Sequence, residues 1–287
     1  VVCYFAVFLY FCITMQEELT ITSLQNPRIK ALLQLQQKSA VRRKEGLFVV
    51  EGQRELMHCL EKGWGVESVF LNPDLPTTSE GDDVLDMQHP GLRGCTVYRV
   101  SAAVYGRIAY RGSTEGVVAT VRTPSLSLAD LKGVSKAPLY VILEGVEKPG
   151  NMGAVLRSAD AAGVDAVIAC DALTDIFNPN LIRASLGGIF SVPVATATSQ
   201  ECIAFLKEWG VRILTAQLQD SQLYYDTDMT GPTAIVMGTE STGLTQQWRD
   251  AADAHIRIPM LGILDSLNVS VSAAILMFEA VRQRQNA

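Results

Sequence analysis

The 287 residues carry 24 Lys+Arg against 30 Asp+Glu, giving a formal net charge of −6. At about 150 residues per domain this length suggests two domains, each able to bury a core. With 48% hydrophobic and 19% charged residues, disordered and fibrous chains are excluded. The acidic balance also argues, on first reading, against a nucleic-acid partner, because phosphate contacts lean on Lys and Arg.

The chain begins with thirteen apolar residues, VVCYFAVFLYFCI. That run is shorter than the roughly 20 residues a bilayer span needs. It also lacks the basic flank and small-residue cleavage site of a secretory signal. Residues 1–14 are therefore expected to be an extension upstream of a start at Met15, with a peripheral membrane anchor as the alternative. The six cysteines (Cys3, Cys12, Cys59, Cys95, Cys170, Cys202) include no C-x-x-C pair, so buried thiols are expected in a reducing cytoplasm.

Charge is not spread evenly. Residues 15–123 hold 13 basic and 13 acidic side chains, whereas 124–287 hold 11 and 17, so the acidic excess belongs to the second half. Arg28, Lys30, Lys38, Arg42, Arg43 and Lys44 fall between Glu18 and Glu45 with no acid among them. Such a run is a solvated helix face or an RNA-contacting arm. After Pro27, Ile29, Leu32, Leu33 and Leu35 have helical spacing. Strands are predicted at Leu47–Val50, Val66–Leu71, Thr96–Val100 and Gly116–Val121, with helices over Gln53–Lys62 and Ala102–Tyr110. The result is a small α/β domain over 15–123. A Pro-, Ser- and Gly-bearing linker follows over 124–138.

From 139 to 287 the α/β alternation is clearer. Leu139–Leu143, Ala166–Cys170, Ile189–Val194, Val211–Thr215, Thr233–Met237 and His255–Ile258 are short apolar runs of the kind buried parallel strands use. Helices are predicted near Ala154–Ala162, Gln200–Trp209, Leu244–Ala251 and Val269–Arg284. The last is apolar nearly all round and needs a cover, for which a dimer interface is the preferred reading over a core position.

Three glycine-bearing loops follow strands: GVEKPGNMGAVLR (145–157), GTESTGL (238–244) and PMLGILDSLN (259–268). Ligands bind at the carboxyl edge of open α/β sheets. The loops would bring Asn151, Arg157, Glu240, Ser266 and Asn268 to that edge. Gly150 and Gly153 are expected to bare backbone N–H groups at a helix start, with Arg157 one turn on from Gly153. A helix-surface ion pair for Arg157 and an N-cap for Asn151 are the plainer alternatives. No G-x-G-x-x-G, P-loop, hydrolase elbow or histidine pair at metal spacing is present, so no metal is expected.

In NMGAVLRSADAAG (151–163), IVMGTESTGL (235–244) and IRIPMLGILDSLNVSVSAAI (256–275) the sequence resembles the SpoU (TrmH) family of RNA 2′-O-ribose methyltransferases, within the SPOUT superfamily. FVVEGQRELMHCLEKG (48–63) and STEGVVATV (113–121) resemble that family's RNA-substrate-binding domain. The residues alone would suggest an unknotted doubly wound sheet, since knots are nearly absent from proteins. The resemblance implies instead a parallel-sheet α/β domain with a deep trefoil knot over 139–287, and a homodimer with its site at the subunit interface. It implies S-adenosylmethionine as cofactor and structured RNA, rRNA or tRNA, as partner, with the accessory domain favouring rRNA. By the resemblance, Arg157 activates the ribose hydroxyl, while Asn151, Glu240, Ser266 and Asn268 shape the site. The cofactor walls fall on Leu214, Thr215, Ala216, Gln217, Gly238, Glu240, Ile258, Met260, Ser266 and Leu267. The basic arm and Arg54 are the expected RNA contacts. The rival reading is a catalytically idle RNA-binding or ribosome-assembly factor with the same fold. A nucleotide-binding oxidoreductase lacks its glycine fingerprint here.

Overall fold

A computed structural model describes residues 19–74, 87–109, 115–133 and 135–286; the apolar start of the chain lies outside them. The chain divides into two compact units, Val1–Thr123 and Pro124–Ala287.

The first unit is a five-stranded mixed sheet in the order β1-β4-β3-β5-β2. Its strands are β1 (Leu19–Ile21), β2 (Leu47–Glu51), β3 (Val66–Leu71), β4 (Thr96–Val100) and β5 (Val117–Arg122). β1, β4 and β3 run parallel, while β5 is antiparallel to both β3 and β2. The Pro27–Gln37 helix starts where expected: the Asn26 side chain caps the Arg28 N–H at 2.9 Å and Pro27 occupies the first turn. Ile29, Leu32 and Leu35 then enter a core with Phe70, Tyr98, Val104 and Ile108.

The second unit is a seven-stranded parallel sheet, ordered β10-β12-β9-β11-β6-β7-β8. The strands are β6 (Leu139–Glu144), β7 (Ala166–Cys170), β8 (Val194–Ala197), β9 (Arg212–Ala216), β10 (Gln222–Leu223), β11 (Thr233–Met237) and β12 (Ala254–Arg257). From β6 the chain first builds outward through β7 and β8; β9, β11 and β12 lie on the other side. β6 and β11 are neighbours at that reversal, so the loops leaving their carboxyl ends share one crevice.

Three sequence expectations change here. The apolar run Ile189–Val194 is not a strand: Gly188–Ser191 is one helical turn and β8 begins at Val194. A short buried run does not distinguish helix from strand, and Ile189 and Phe190 bury equally well on a turn. The segment 124–138 packs on the second unit, with Leu131 buried and the Leu126 carbonyl bonded to the Thr196 N–H at 2.9 Å. The terminal helix Val269–Gln285 buries Val269, Ala273, Leu276, Met277 and Ala280 within its own unit, leaving Val271 and Phe278 about half exposed. Its far end is held by Arg284, whose guanidinium donates to the carbonyls of Ala137 (2.7 Å), Gly231 (2.7 Å) and Met229 (3.0 Å). Among the described residues no helix is long and apolar enough to cross a membrane.

Candidate active site

The helix that carries Asn151 and Arg157 begins at Pro149, earlier than its apolar pattern suggests, because proline is suited to a first turn. Asn151 is therefore inside the helix and is not its cap. Gly150 is open on all sides, as expected, but Gly153 is buried. A Cβ there would stand 2.6 Å from Ala184 Cβ and 2.7 Å from the Leu181 carbonyl oxygen. Gly153 thus admits the Pro179–Ser185 helix and offers no anion cradle. Arg157 is exposed and makes no hydrogen bond or ion pair among the described residues.

The starts of two helices and the 238–244 loop meet in one hydrogen-bonded network. Asn151 Nδ2 donates to Glu240 Oε1 at 3.0 Å, and Asn268 Nδ2 donates to the same oxygen at 2.9 Å. Asn268 Nδ2 also lies 3.1 Å from Asn151 Oδ1. The Lys148 ammonium donates to Glu240 Oε2, so both carboxylate oxygens are occupied. That ammonium, more than any other neighbour, holds the Glu240 carboxyl below the usual carboxylate range. Reciprocally, Glu240 raises Lys148. Asn268 arrives by capping the terminal helix, its Oδ1 accepting the Ser270 N–H at 2.9 Å. Glu240 sits on a loop whose stem is closed too tightly for any side chain at Gly238: a Cβ there would lie 2.4 Å from the Gly243 carbonyl carbon.

Two cavities flank this network. The larger, about 300 Å³, is lined by Val146, Glu147, Lys148, Asn151, Gly238 and Glu240, among others. The second, about 140 Å³, lies against β9, β12 and the 258–267 segment, with walls including Met237, Ile256, Met260, Leu267 and Leu276. Of the residues expected to form the cofactor walls, Ala216, Gln217, Ile258, Met260, Ser266 and Leu267 line it. Leu214 and Thr215 do not: both are fully buried in β9 beneath it, and Thr215 Oγ1 is 2.6 Å from His255 Nδ1. Gly238 and Glu240 belong to the larger cavity, and Arg157 lines neither.

The expected RNA contacts also separate. Arg28, Lys30, Lys38, Arg43, Lys44 and Arg54 are exposed, with Arg28 stacked 5.6 Å from the Tyr98 ring centre. Arg42 is 4% exposed and donates to the carbonyls of Leu35 (2.5 Å) and Gln36 (3.2 Å). It caps the end of the Pro27–Gln37 helix, so it is a structural residue and not a surface contact.

The SpoU rRNA methylase family model matches residues 138–278, and an MRM3-like substrate-binding-domain model matches 26–119. A 23S rRNA (guanosine-2′-O-)-methyltransferase, RlmB, of Ralstonia nicotianae is 39% identical over 174 residues, 59% of this chain and 70% of that protein. The chain belongs to the SpoU rRNA methylase family. A 23S rRNA (guanosine(2553)-2′-O)-methyltransferase, RlmP, of Bacillus subtilis is 26% identical over 90% of this chain and 97% of its own. The crystal structure of an AdoMet-bound rRNA methyltransferase from Sinorhizobium meliloti superposes with a TM-score of 0.82 at 30% identity, covering 92% of this chain and 97% of that one.

The smaller cavity suits this family's cofactor. Its walls are mostly apolar, fitting an adenine ring. Gln217, which lines it, keeps a buried side-chain oxygen with no hydrogen-bond partner. Lys148, Met237 and Leu276 were missed by sequence reasoning. Lys148 lay inside a quoted motif, but its partner is 92 residues away, and nothing local marks such a pairing.

Proposed function

We propose that the crevice at the β6–β11 reversal is the active site of an S-adenosylmethionine-dependent RNA 2′-O-ribose methyltransferase acting on a guanosine of 23S rRNA. The observation that carries it is the four-residue network of Lys148, Asn151, Glu240 and Asn268, drawn from the starts of two helices and the 238–244 loop, beside an apolar cavity. The named functions of the relatives support the rRNA substrate. Ala216, Gln217, Ile258, Met260, Ser266 and Leu267 would hold the cofactor, which supplies an electrophilic methyl on a good leaving group. The protein's task is then to orient the ribose and to stabilise charge growing on its 2′-oxygen. Arg157 is the residue for that second task. A guanidinium is a poor base, so Arg157 acts as a donor to the developing alkoxide, and the proton released from the 2′-hydroxyl passes to solvent water. Asn151, Glu240 and Asn268 form a rigid polar wall that fixes the ribose.

Arg157 lines neither cavity of its own chain, which supports a homodimer in which a second copy completes the site; the exposed Val271 and Phe278 suit such a contact. The 238–244 and 259–268 loops are proposed as the threaded elements of a trefoil knot. The cations of 28–54 other than Arg42 would contact RNA phosphates, in a substrate-binding domain over 15–123. With a ribosomal substrate, the cytoplasm is the proposed location.

The test is to incubate the chain with unmodified 23S rRNA and, separately, tRNA, with labelled S-adenosylmethionine, and to digest to nucleosides. Label in 2′-O-methylguanosine from rRNA is expected; label on a base nitrogen contradicts the chemistry, and label from tRNA alone contradicts the substrate.

A further inference from the structure

Glu144 is the last residue of β6, is 4% exposed, and has no part in the reading above. A buried carboxylate is costly unless its oxygens are satisfied. Among the described residues no lysine or arginine pairs with it. Instead Oε2 accepts the Thr245 N–H at 2.9 Å, while Oε1 accepts the Thr245 hydroxyl at 2.6 Å and faces the Ser199 hydroxyl at 3.3 Å. Ser199 has one proton, and its shorter bond runs to Asp171 at 2.5 Å, while its oxygen accepts Trp248 Nε1–H at 2.9 Å. Ser199 and Trp248 are themselves buried.

This cluster grips the roots of two site loops. Thr245 follows the loop that presents Glu240, and that loop is closed by paired bonds between Thr239 and Gly243 at 3.1 and 3.2 Å. Gly145, next to Glu144, packs so closely that an added Cβ would lie 3.2 Å from Thr239 Cγ2. From Gly145 the chain runs directly to Lys148 and Asn151. One side chain therefore ties together the loops whose tips must meet at Glu240.

We propose that Glu144 is a positioning residue for methyl transfer: through Thr245 it fixes the stem of the 238–244 loop, and so the point at which Glu240 meets Asn151 and Asn268. The inference rests on the active-site reading above. The charge form matters because Thr245 presents two donors to the two carboxylate oxygens. An amide at 144 could still accept the Thr245 N–H with its oxygen, but its own N–H group would face the Thr245 hydroxyl, which would have to turn from donor to acceptor.

The test uses the full chain with 23S rRNA, comparing Glu144→Gln, Thr245→Val, Thr245→Ser and Glu240→Gln, and each Glu144 and Thr245 change combined with Glu240→Gln. Glu144→Gln and Thr245→Val are expected to lower kcat by about 10- to 100-fold, the range for a misplaced site group, with the calorimetric Kd for S-adenosylmethionine nearly unchanged. Thr245→Ser, which keeps the hydroxyl, should restore most of the rate. In the Glu240→Gln background both changes should cost little more, because they act through Glu240. Hydrogen exchange should show the Thr245 amide losing protection in Glu144→Ala, which removes the acceptor of its N–H. Rates equal to wild type, losses that multiply with Glu240→Gln, or an unchanged Thr245 amide would overturn the proposal. If Glu144→Gln does not fold, Thr245→Val against Thr245→Ser decides alone. A wild-type chain that transfers no methyl to RNA would overturn the underlying reading instead, while the amide exchange would still report on the lock.

Discussion

In the first unit Arg28, Lys30, Lys38, Arg43 and Lys44 face solvent along two short helices and the residue between them; Arg42 alone is turned inward to cap a helix. In the second unit the polar groups come from three segments distant in sequence and are bonded to one another around a single carboxylate. The difference separates two kinds of contribution. Dispersed charge sets how strongly and how salt-sensitively RNA is held, whereas a closed network sets where atoms react. A single substitution should therefore be graded in the first unit and severe in the second.

The severest effect is expected at Arg157. Arg157→Ala should reduce methyl transfer by about 100- to 1,000-fold, the usual cost of removing one donor to developing charge, without loss of cofactor binding by calorimetry. A parallel loss of cofactor affinity would instead make Arg157 a cofactor-binding residue. Next is packing behind the site. Gly153→Ala should destabilise the second unit by about 1–3 kcal/mol, because Ala184 and the Leu181 carbonyl leave no room for a methyl. A melting temperature equal to wild type would reopen the idea of a bare backbone there.

Within the basic stretch, two adjacent residues should behave oppositely. Arg42→Ala should cost about 1–3 kcal/mol of stability, since two carbonyls lose a buried charged donor. Arg43→Ala should leave the melting temperature nearly unchanged but reduce the slope of log affinity against log salt by about 1. The smallest effect is a shift in pH dependence. Glu240 is held below its ordinary range chiefly by Lys148, so its interactions survive mild acid and are lost only as pH falls through that lowered value. Lys148→Ala should move the acid limb of the rate profile to higher pH; an unmoved limb would show that Glu240 does not govern it.

What was legible in the sequence follows the range of the forces involved. Buried parallel strands show as continuous apolar runs, and β6, β7, β9 and β11 were found within a residue or so because a strand's requirement is local. The site loops were legible as motifs whose members Asn151, Glu240 and Asn268 do meet. The run 189–194 misled because burial alone does not set a period. Arg42 could not be told from Arg43, since only the path of the preceding helix decides which of them reaches the Leu35 carbonyl. Lys148 and Glu144 were passed over because their partners, Glu240 and Thr245, lie about a hundred residues along the chain and are brought near only by the pairing of β6 with β11.

The central claim is that the three-loop crevice methylates a ribose, with Arg157 essential to the step. The most direct measurement is primer extension at low nucleotide concentration on unmodified 23S rRNA treated with S-adenosylmethionine and either the wild-type chain or Arg157→Ala. A new stop marking one guanosine with the wild-type chain, absent with the variant, is the result expected. The same stop with both proteins would contradict the assignment of Arg157, and no stop with either would contradict the claim itself.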